Sequence, residues 1–231
     1  MGPAMTKMQF ASSATAHHGA AGARSGMLAD LILREAAGTR IALRRGAELY
    51  VEGDESRYCY KVVSGAVRRC KLMIDGRRHI ASFHGPGELL GFAPAGHHDL
   101  TAEAITDTVV LRYPRAAIES RAERDPGLAR ELRSLVCRSL VEAHERMLLL
   151  GCKSAAERVA AFLIERADAA ATDRVELPMP RHDVADYLGL TIETVSRVLG
   201  TLKRSGVIAI PTAQRIDILD REALAELDCA T

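Results

Sequence analysis

The amino-acid sequence predicts an α+β fold in three parts, and three observations support it. Short β-favouring runs punctuated by glycine turns fill residues 41–112, and a long segment without helix breakers follows them. Two short helical segments and a β-hairpin pattern then complete the chain. With 231 residues, the chain is long enough for two modest domains with sizeable cores. The predicted boundaries are a leader at 1–27, a β-roll at 28–125, a long helix at 126–151 and a helical domain with a hairpin at 152–231.

The first 26 residues contain no acidic side chain and are rich in Ala, Ser, Gly and His. Their basic residues are Lys7 and Arg24, and they lack the apolar segment of a signal peptide, so we expect a disordered leader. No stretch of the sequence approaches the roughly 18 uninterrupted apolar residues of a membrane span. The five cysteines show neither a CxxC motif nor zinc-like clustering, which favours reduced thiols in a cytoplasmic protein.

Residues 41–112 have the pattern of a small antiparallel barrel or roll. Ser64-Gly65 separates two β-favouring runs, and Asp75-Gly76 is a strong hairpin-turn signal. A third turn segment, GPGELLGF, precedes the Val- and Leu-rich run TDTVVLRYP. Short strands with regular glycine turns therefore predict an antiparallel β-roll.

Two adjacent histidines, His97 and His98, lie in a glycine-flanked loop of this region, with His79 and His84 nearby in the sequence. Such a group could bind a metal or haem. Adjacent loop histidines without a third fixed ligand are nevertheless typically solvated. We therefore predict no metal site here.

One long helix is predicted from Leu128 to Leu150, and Pro126 and Gly151 punctuate its ends. Some of its apolar residues recur at spacings of 4, 4, 3, 4 and 3, close to a heptad pattern. We call this row the seam; it comprises Leu132, Val136, Leu140, Ala143, Met147 and Leu150. A second apolar flank comprises Leu128, Leu135, Leu148 and Leu149. One flank can cover the roll and the other can meet a partner helix, although a single long core helix is the alternative.

Two short helices joined by a tight turn are predicted after Arg181. The first points Val184, Ala185 and Leu188 inward and ends at Gly189, where a left-handed C-cap is favourable. The small Ala185 side chain permits a close approach between the two helices. This pattern is typical of a helix-turn-helix, and an ordinary αα-hairpin inside a core is the alternative.

The second helix is expected to begin at about Thr191, a suitable N-cap, and to have two contrasting faces. The face expected to lie toward the core carries Ile192, Val195, Val198, Leu199 and Leu202. The opposite face carries Glu193, Ser196, Arg197 and Gly200, at positions i, i+3, i+4 and i+7. The helix therefore combines an apolar core side with an exposed polar stripe.

Two β-rich runs, VIAI and RIDIL, follow Gly206 and are joined by PTAQ, which predicts a hairpin wing. The C-terminal part is thus predicted to be a winged helix-turn-helix. From Cys152 onward the chain holds 10 Lys and Arg against 13 Asp and Glu, so this part is not basic overall. We therefore expect DNA affinity to rest on few phosphate contacts and on dimerisation.

The order of β-roll, long helix and winged helix-turn-helix, over about residues 28–227, resembles the CRP/FNR superfamily of bacterial transcription regulators. YLGLTIETVSRVLGTLKRSGVI is similar to the recognition region of its FNR/FixK branch, including the Glu-x-x-Ser-Arg signature. IASFHGPGELLGF resembles that branch's roll segment, and SAAERVAAFLIERA resembles the first helix of its DNA-binding domain. The resemblance implies that the roll is cupin-like and cyclic-nucleotide-binding-domain-like.

Departures from the ligand-binding members of this superfamily bear on the roll. Where cyclic-nucleotide-binding members have a Glu for the ribose, this chain has Phe92, and residues 99–102, DLTA, replace the Arg-Ser pair that holds the phosphate. Iron–sulfur members use cysteines near the N-terminus and one in the roll. The leader here has none, and Leu111 falls near the roll position. The resemblance therefore implies no cofactor, as in the FixK subgroup.

The resemblance implies a homodimeric DNA-binding regulator rather than an enzyme, and the sequence has no Walker loop, HExxH motif or dinucleotide fingerprint. It also implies activation of microaerobic and nitrogen-fixation genes, through a TTGAT-like inverted repeat and contact with RNA polymerase. The alternative is a regulator gated by an unidentified effector in the roll or by thiol oxidation. Cys152, near the hinge, is the candidate thiol, and a small buried apolar role is its competing interpretation.

The expected contacts fall into three sets. Base contacts are expected from Glu193, Ser196 and Arg197. Contacts to the DNA backbone are expected from Arg181, Thr191, Thr194 and Lys203. Dimer contacts are expected along the seam.

Overall fold

The computed structural model describes residues 38–93 and 96–228. The predicted leader at 1–27 lies outside the described residues, as do Cys229 and the two residues after it. None of the helices within the described ranges is long and apolar enough to cross a membrane.

The N-terminal half of the described chain is built from eight short strands. They form two four-stranded antiparallel sheets, in the orders β1-β8-β3-β6 and β2-β7-β4-β5. The predicted antiparallel roll is therefore confirmed. The strands are β1 (Thr39–Leu43), β2 (Glu48–Tyr50), β3 (Tyr58–Ser64), β4 (Val67–Leu72), β5 (Arg78–His84), β6 (Leu89–Leu90), β7 (Thr101–Ala104) and β8 (Thr108–Pro114).

The two glycine turns predicted in the roll are both present. Gly65 links β3 to β4 with a φ of 85°, and Gly76 lies in the β4–β5 turn with a φ of 83°. A Cβ on Gly65 would lie 2.5 Å from the carbonyl oxygen of Asp107, so this turn requires glycine for space as well as for conformation.

The loop before β7 places its two histidines in different surroundings. His97 is exposed, whereas His98 is 5% exposed and stacks on Tyr50, with ring centroids 3.6 Å apart. The expectation that both are solvated is therefore wrong for His98, because the Tyr50 ring gives the imidazole an apolar face to cover. The described residues contain no group of three or more His, Cys, Asp or Glu placed to bind a metal.

Two helices connect the roll to the rest of the chain: α1 (Arg115–Ala122) and α2 (Pro126–Cys152). Asp125 caps α2, and its carboxylate accepts hydrogen bonds from the backbone N–H groups of Gly127 and Leu128 at 2.8 and 3.2 Å. The sequence places the helix end at Gly151. The structure continues the helix to Cys152, and the N–H of Lys153 still bonds to the carbonyl of Leu149.

The first half of α2 lies against the roll, and much of the second half does not. Leu128 is buried, and Leu132 and Leu135 pack against a cluster that includes Cys59, Tyr113 and Ile118. Farther along, Val136, Leu140 and Met147 are 64%, 56% and 64% exposed. Near the end of the helix, Leu149 of the second flank packs against the C-terminal core, whereas its neighbour Leu148 is exposed. One row of apolar side chains on α2 is thus uncovered in the single chain.

The C-terminal half consists of four helices and a three-stranded antiparallel sheet in the order β10-β11-β9. The hairpin wing predicted from the sequence is β10 and β11, and β9 joins it as a third strand. The elements are α3 (Ala155–Ala170), β9 (Arg174–Glu176), α4 (Arg181–Leu188), α5 (Ile192–Arg204), β10 (Ile208–Thr212), β11 (Arg215–Ile218) and α6 (Arg221–Asp228). The predicted winged helix-turn-helix is therefore present, as α4, α5 and the wing.

The roll and the helix-turn-helix share one apolar core. Ile80 and Phe83 of β5 belong to the same buried cluster as Phe162 of α3 and Tyr187 of α4. The rings of Phe83 and Tyr187 lie 5.0 Å apart. The first helix of the helix-turn-helix is consequently seated on the β4–β5 side of the roll.

Candidate nucleic-acid interface

The first turn of α5 is fixed by its cap and by the turn before it. Gly189 adopts a left-handed conformation with a φ of 62°, as predicted for the end of α4. Thr191 then caps α5, and its hydroxyl oxygen accepts a hydrogen bond from the backbone N–H of Thr194 at 3.2 Å. These local features set the direction in which α5 leaves α4.

The two predicted faces of α5 are present, with one correction. Val195, Leu199 and Leu202 are at most 5% exposed and belong to the C-terminal core. Ile192 was expected beside them but is 41% exposed. It occupies the first helical position, where the helix projects beyond the core that covers the later turns. The apolar periodicity of the sequence places Ile192 on the core face. Its position in the first turn of the helix is the feature that could have predicted its exposure.

Glu193, Ser196 and Arg197 are all exposed and share the face opposite the core. In the part of the chain that the structure describes, no acidic side chain forms an ion pair with the guanidinium of Arg197. Lys203 is also exposed, near the end of α5. These four residues place one carboxylate, one hydroxyl and two cations on the exposed surface of α5, and the exposed Arg204 adds a third cation in its last turn.

The structure separates the four residues predicted to contact the DNA backbone into two groups. Thr191, Thr194 and Lys203 lie on or next to α5. Arg181 instead begins α4, and its side chain lines a small apolar pocket that Leu177 also borders. Burial lowers the pKa of Arg181 from its usual range. Arg181 is thus less available to a phosphate than Thr191, Thr194 and Lys203 are.

An ion cluster between the roll and the helix-turn-helix holds α4 in place; it comprises Arg68, Arg78, Asp183 and Asp186. The Asp183 side chain is fully buried, and its two oxygens accept hydrogen bonds at 2.5 Å from Arg68 of β4 and Arg78 of β5. Arg78 also lies 2.8 Å from Asp186. We call this group the interdomain ion cluster. Sequence reasoning missed it because the partners lie 105 and 115 residues apart along the chain.

The roll positions that differ from those of ligand-binding members lie in two different surroundings. Asp99 forms an ion pair with Arg69 at 3.1 Å, so a carboxylate stands where the resemblance expects groups that hold a phosphate. Phe92 and Leu111 both pack against the apolar cluster beneath α2. A phosphate placed here would face the Asp99 carboxylate, which already engages the neighbouring guanidinium.

The four cysteines in the described ranges fall into two classes. Cys59 and Cys70 are buried, and burial raises the pKa of Cys59 to about 12 and raises that of Cys70. Cys137 and Cys152 are exposed. The expectation that Cys152 is a small buried apolar residue is therefore wrong for the single chain, because it ends α2 at a position that no neighbouring element covers.

Comparisons with known families match both halves of the chain. Residues 157–227 match the Crp-like helix-turn-helix domain, and residues 40–125 match the cyclic nucleotide-binding domain. The chain is similar to the solved structure of FixK2 from Bradyrhizobium japonicum, with a TM-score of 0.82 and 43% identity. That match covers 84% of this chain and 99% of FixK2.

Relatives of similar length are transcription regulators. The nitrogen fixation regulation protein FixK of Rhizobium meliloti is 44% identical over 183 residues, 79% of this chain and 83% of FixK. FixK of Azorhizobium caulinodans is 42% identical over 199 residues, 84% of this chain and 80% of that protein. These relatives confirm that the chain is a DNA-binding transcription regulator rather than an enzyme. The chain belongs to the FixK-like branch of the CRP/FNR superfamily of transcription regulators.

Proposed function

We propose that this chain acts as a homodimeric activator that reads a TTGAT-like inverted repeat and contacts RNA polymerase. Its targets are genes of microaerobic respiration and nitrogen fixation, in keeping with the names of its relatives. The observation that carries the proposal is the exposed face of α5, where Glu193, Ser196 and Arg197 stand together on a capped helix. Binding to the palindrome, and transcription by purified RNA polymerase from a promoter that carries it, test the two steps separately.

The chemistry of this face suits the edges of base pairs in the major groove. An arginine can donate two hydrogen bonds to O6 and N7 of guanine, and a glutamate can accept one from the amino group of cytosine. Ser196 can bond to a base edge or a phosphate. The exposed Ile192 adds an apolar surface that suits a thymine methyl group. Together these groups fit a half-site that contains thymines as well as one G·C pair.

The uncovered row on α2 supports a dimer. Val136, Leu140 and Met147 are more than half exposed, and an apolar row of this kind on a long helix is typical of a helix–helix interface. Each protomer would then present one α5 to one half-site, with half-sites about one helical turn apart. Because the C-terminal part carries more acidic than basic residues, pairing two domains compensates for few phosphate contacts.

We expect Arg197→Ala to cost about 1–3 kcal/mol of binding free energy per half-site and to flatten the preference for the G·C pair. Lys203→Ala should instead weaken binding to all sequences alike and lower the slope of log affinity against log salt by about one. Both variants are measured against the palindrome, and against copies altered at that pair, across a salt series.

Arg197→Lys is the matched control, because it keeps the positive charge and loses the bidentate fork. It should retain the salt slope of the unmodified protein while losing the G·C preference. If Arg197→Ala keeps full discrimination at the G·C pair, α5 does not read DNA as proposed.

A second candidate is a regulator gated by an effector in the roll or by a thiol. The exposure of Cys137 and Cys152 favours the thiol version, since both can reach an oxidant while Cys59 and Cys70 are buried. Comparing palindrome affinity in air, under reductant and after mild oxidation separates the two candidates. The ungated regulator should show equal affinity in all three conditions.

We expect cyclic AMP neither to bind detectably nor to change DNA affinity. Phe92 cannot replace a carboxylate that binds a ribose, and Asp99 repels a phosphate and occupies Arg69. Titration calorimetry of the full chain with cyclic AMP checks this prediction. Micromolar binding would show that the roll keeps a nucleotide site despite these residues.

A further inference from the structure

The guanidinium of Arg158, in the first turn of α3, lies where two other helices, α2 and α4, end. It donates to the carbonyl of Leu150 at 2.9 Å, to that of Lys153 at 2.9 Å and to that of Leu188 at 3.1 Å. Leu150 belongs to the last turn of α2, Lys153 is its C-cap residue, and Leu188 is the last residue of α4. One side chain therefore ties the end of the seam helix to the end of the first helix of the helix-turn-helix.

These bonds are suited to helix ends. The last carbonyl groups of a helix have no partner within it and carry a partial negative charge, so a half-buried cation such as Arg158 that bonds to them is stabilising. Arg158 satisfies such groups on α2 and on α4 at once. Its five N–H donors, spread over three nitrogens in a fixed fork, make this possible, whereas the three donors of a lysine all lie on one nitrogen.

Two further contacts surround this arrangement. Arg146 of α2 donates to the carbonyl of Tyr187 at 3.1 Å, and its guanidinium lies 3.2 Å from the centre of the Tyr187 ring. A side chain of Leu150 lies 3.3 Å from where a Cβ on Gly189 would stand. The turn between α4 and α5 is thus seated directly on the last turns of α2.

The direction of α5 relative to α2 follows from this seating. Gly189 and the Thr191 cap fix α5 on α4, and Arg158 fixes α4 on α2. In a dimer formed along α2, the two-fold axis follows the seam. The angle between α2 and α5 then sets the distance between the two recognition helices, which DNA requires to be about one helical turn, roughly 34 Å.

We propose that Arg158 is a positioning residue that sets the half-site spacing at which the dimer binds its operator. This inference rests on the proposed function, since it assumes a dimer on a palindrome. It assigns Arg158 a role in the geometry of the complex, without any contact to DNA.

The test uses Arg158→Gln in the full chain and a panel of duplexes. The panel holds the inverted repeat at its preferred spacing, copies with one or two base pairs added or removed, and a single half-site. We expect Arg158→Gln to lose at least about tenfold in affinity at the preferred spacing, equivalent to about 1.4 kcal/mol. Its preference among spacings should flatten, while its half-site affinity and its dimer fraction in sedimentation should stay unchanged.

Two variants serve as controls. Arg158→Lys should restore part of the spacing preference, because a lysine can reach one of the three carbonyls. Arg221→Gln removes an arginine of the same half whose ion pairs are with Asp168 of α3 and with Asp173, just before β9. It should keep the spacing preference of the unmodified protein.

Two results would overturn the inference. One is an unchanged spacing profile in Arg158→Gln, and the other is an equal loss of affinity for the half-site and the palindrome, which indicates general destabilisation. Failure of the proposed function has a different signature. In that case the unmodified protein itself would bind the palindrome no better than the half-site.

Discussion

Replacing Leu140 by glutamate is expected to abolish dimerisation and, with it, binding to the palindrome. Leu140 is 56% exposed in the single chain and lies between Val136 and Met147 in the uncovered row of α2. At a two-fold interface the new carboxylate would face its own symmetry mate without a partner. An unpaired charge buried in this way costs several kcal/mol, more than a marginal dimer can absorb. Sedimentation velocity and binding to the palindrome measure the two losses.

Arg138→Glu is the control for this change. Arg138 is exposed and lies two residues from Leu140, which places it roughly 200° around the helix. It also introduces a carboxylate on α2, and it should leave the sedimentation coefficient unchanged. A dimeric Leu140→Glu variant with full affinity for the palindrome would show that another face of the chain forms the dimer.

Replacing Asp183 by alanine is expected to lower the free energy of unfolding by about 3–5 kcal/mol. The fully buried Asp183 carboxylate is shared by Arg68 and Arg78, whose side chains are only 11% and 23% exposed. Without Asp183, the largely buried Arg68 keeps only Glu103 as an acidic partner among the described residues, and Arg78 keeps only Asp186. Both of these carboxylates are more exposed than that of Asp183. Chemical denaturation of the two proteins, followed by circular dichroism, gives the difference directly.

Asp186→Ala provides the comparison within the same cluster. Asp186 is 30% exposed and pairs with Arg78, which keeps Asp183 when Asp186 is lost. Ion pairs of this more exposed kind contribute about 0–1 kcal/mol, so the loss should be much smaller. Equal losses for the two variants would mean that burial of Asp183 does not govern the stability of the cluster.

The parts of the interface that follow local rules could be predicted from the sequence. The glycine that ends α4 and the threonine that caps α5 depend on the conformational preferences of those residues and their immediate neighbours. The spacing of Glu193, Ser196 and Arg197 places them on one face of any helix that begins at Thr191. These features can therefore be predicted from the local sequence without knowledge of any tertiary contact.

The features that depend on distant contacts could not be predicted in this way. From the sequence, Asp183 is an ordinary acidic residue in the first turn of a helix. Its carboxylate is buried because β4 and β5 pack against α4 and bring Arg68 and Arg78 to it. His98 is buried because the ring of Tyr50 lies beside it. Cys152 is exposed at the last residue of α2. Each of these depends on tertiary packing, which periodicity does not encode.

The apolar core that β5 shares with α3 and α4 limits how freely such regulators can exchange parts. A helix-turn-helix that is transferred to an unrelated sensor, by recombination or by design, loses the roll residues against which it packs. In such a chimera Tyr187 would lack its contact with Phe83, and Asp183 would lack the two arginines that balance its charge. Successful chimeras should therefore retain β4 and β5 from the same parent as α4, so that the crossover point falls before the roll ends and not in the hinge at Lys153.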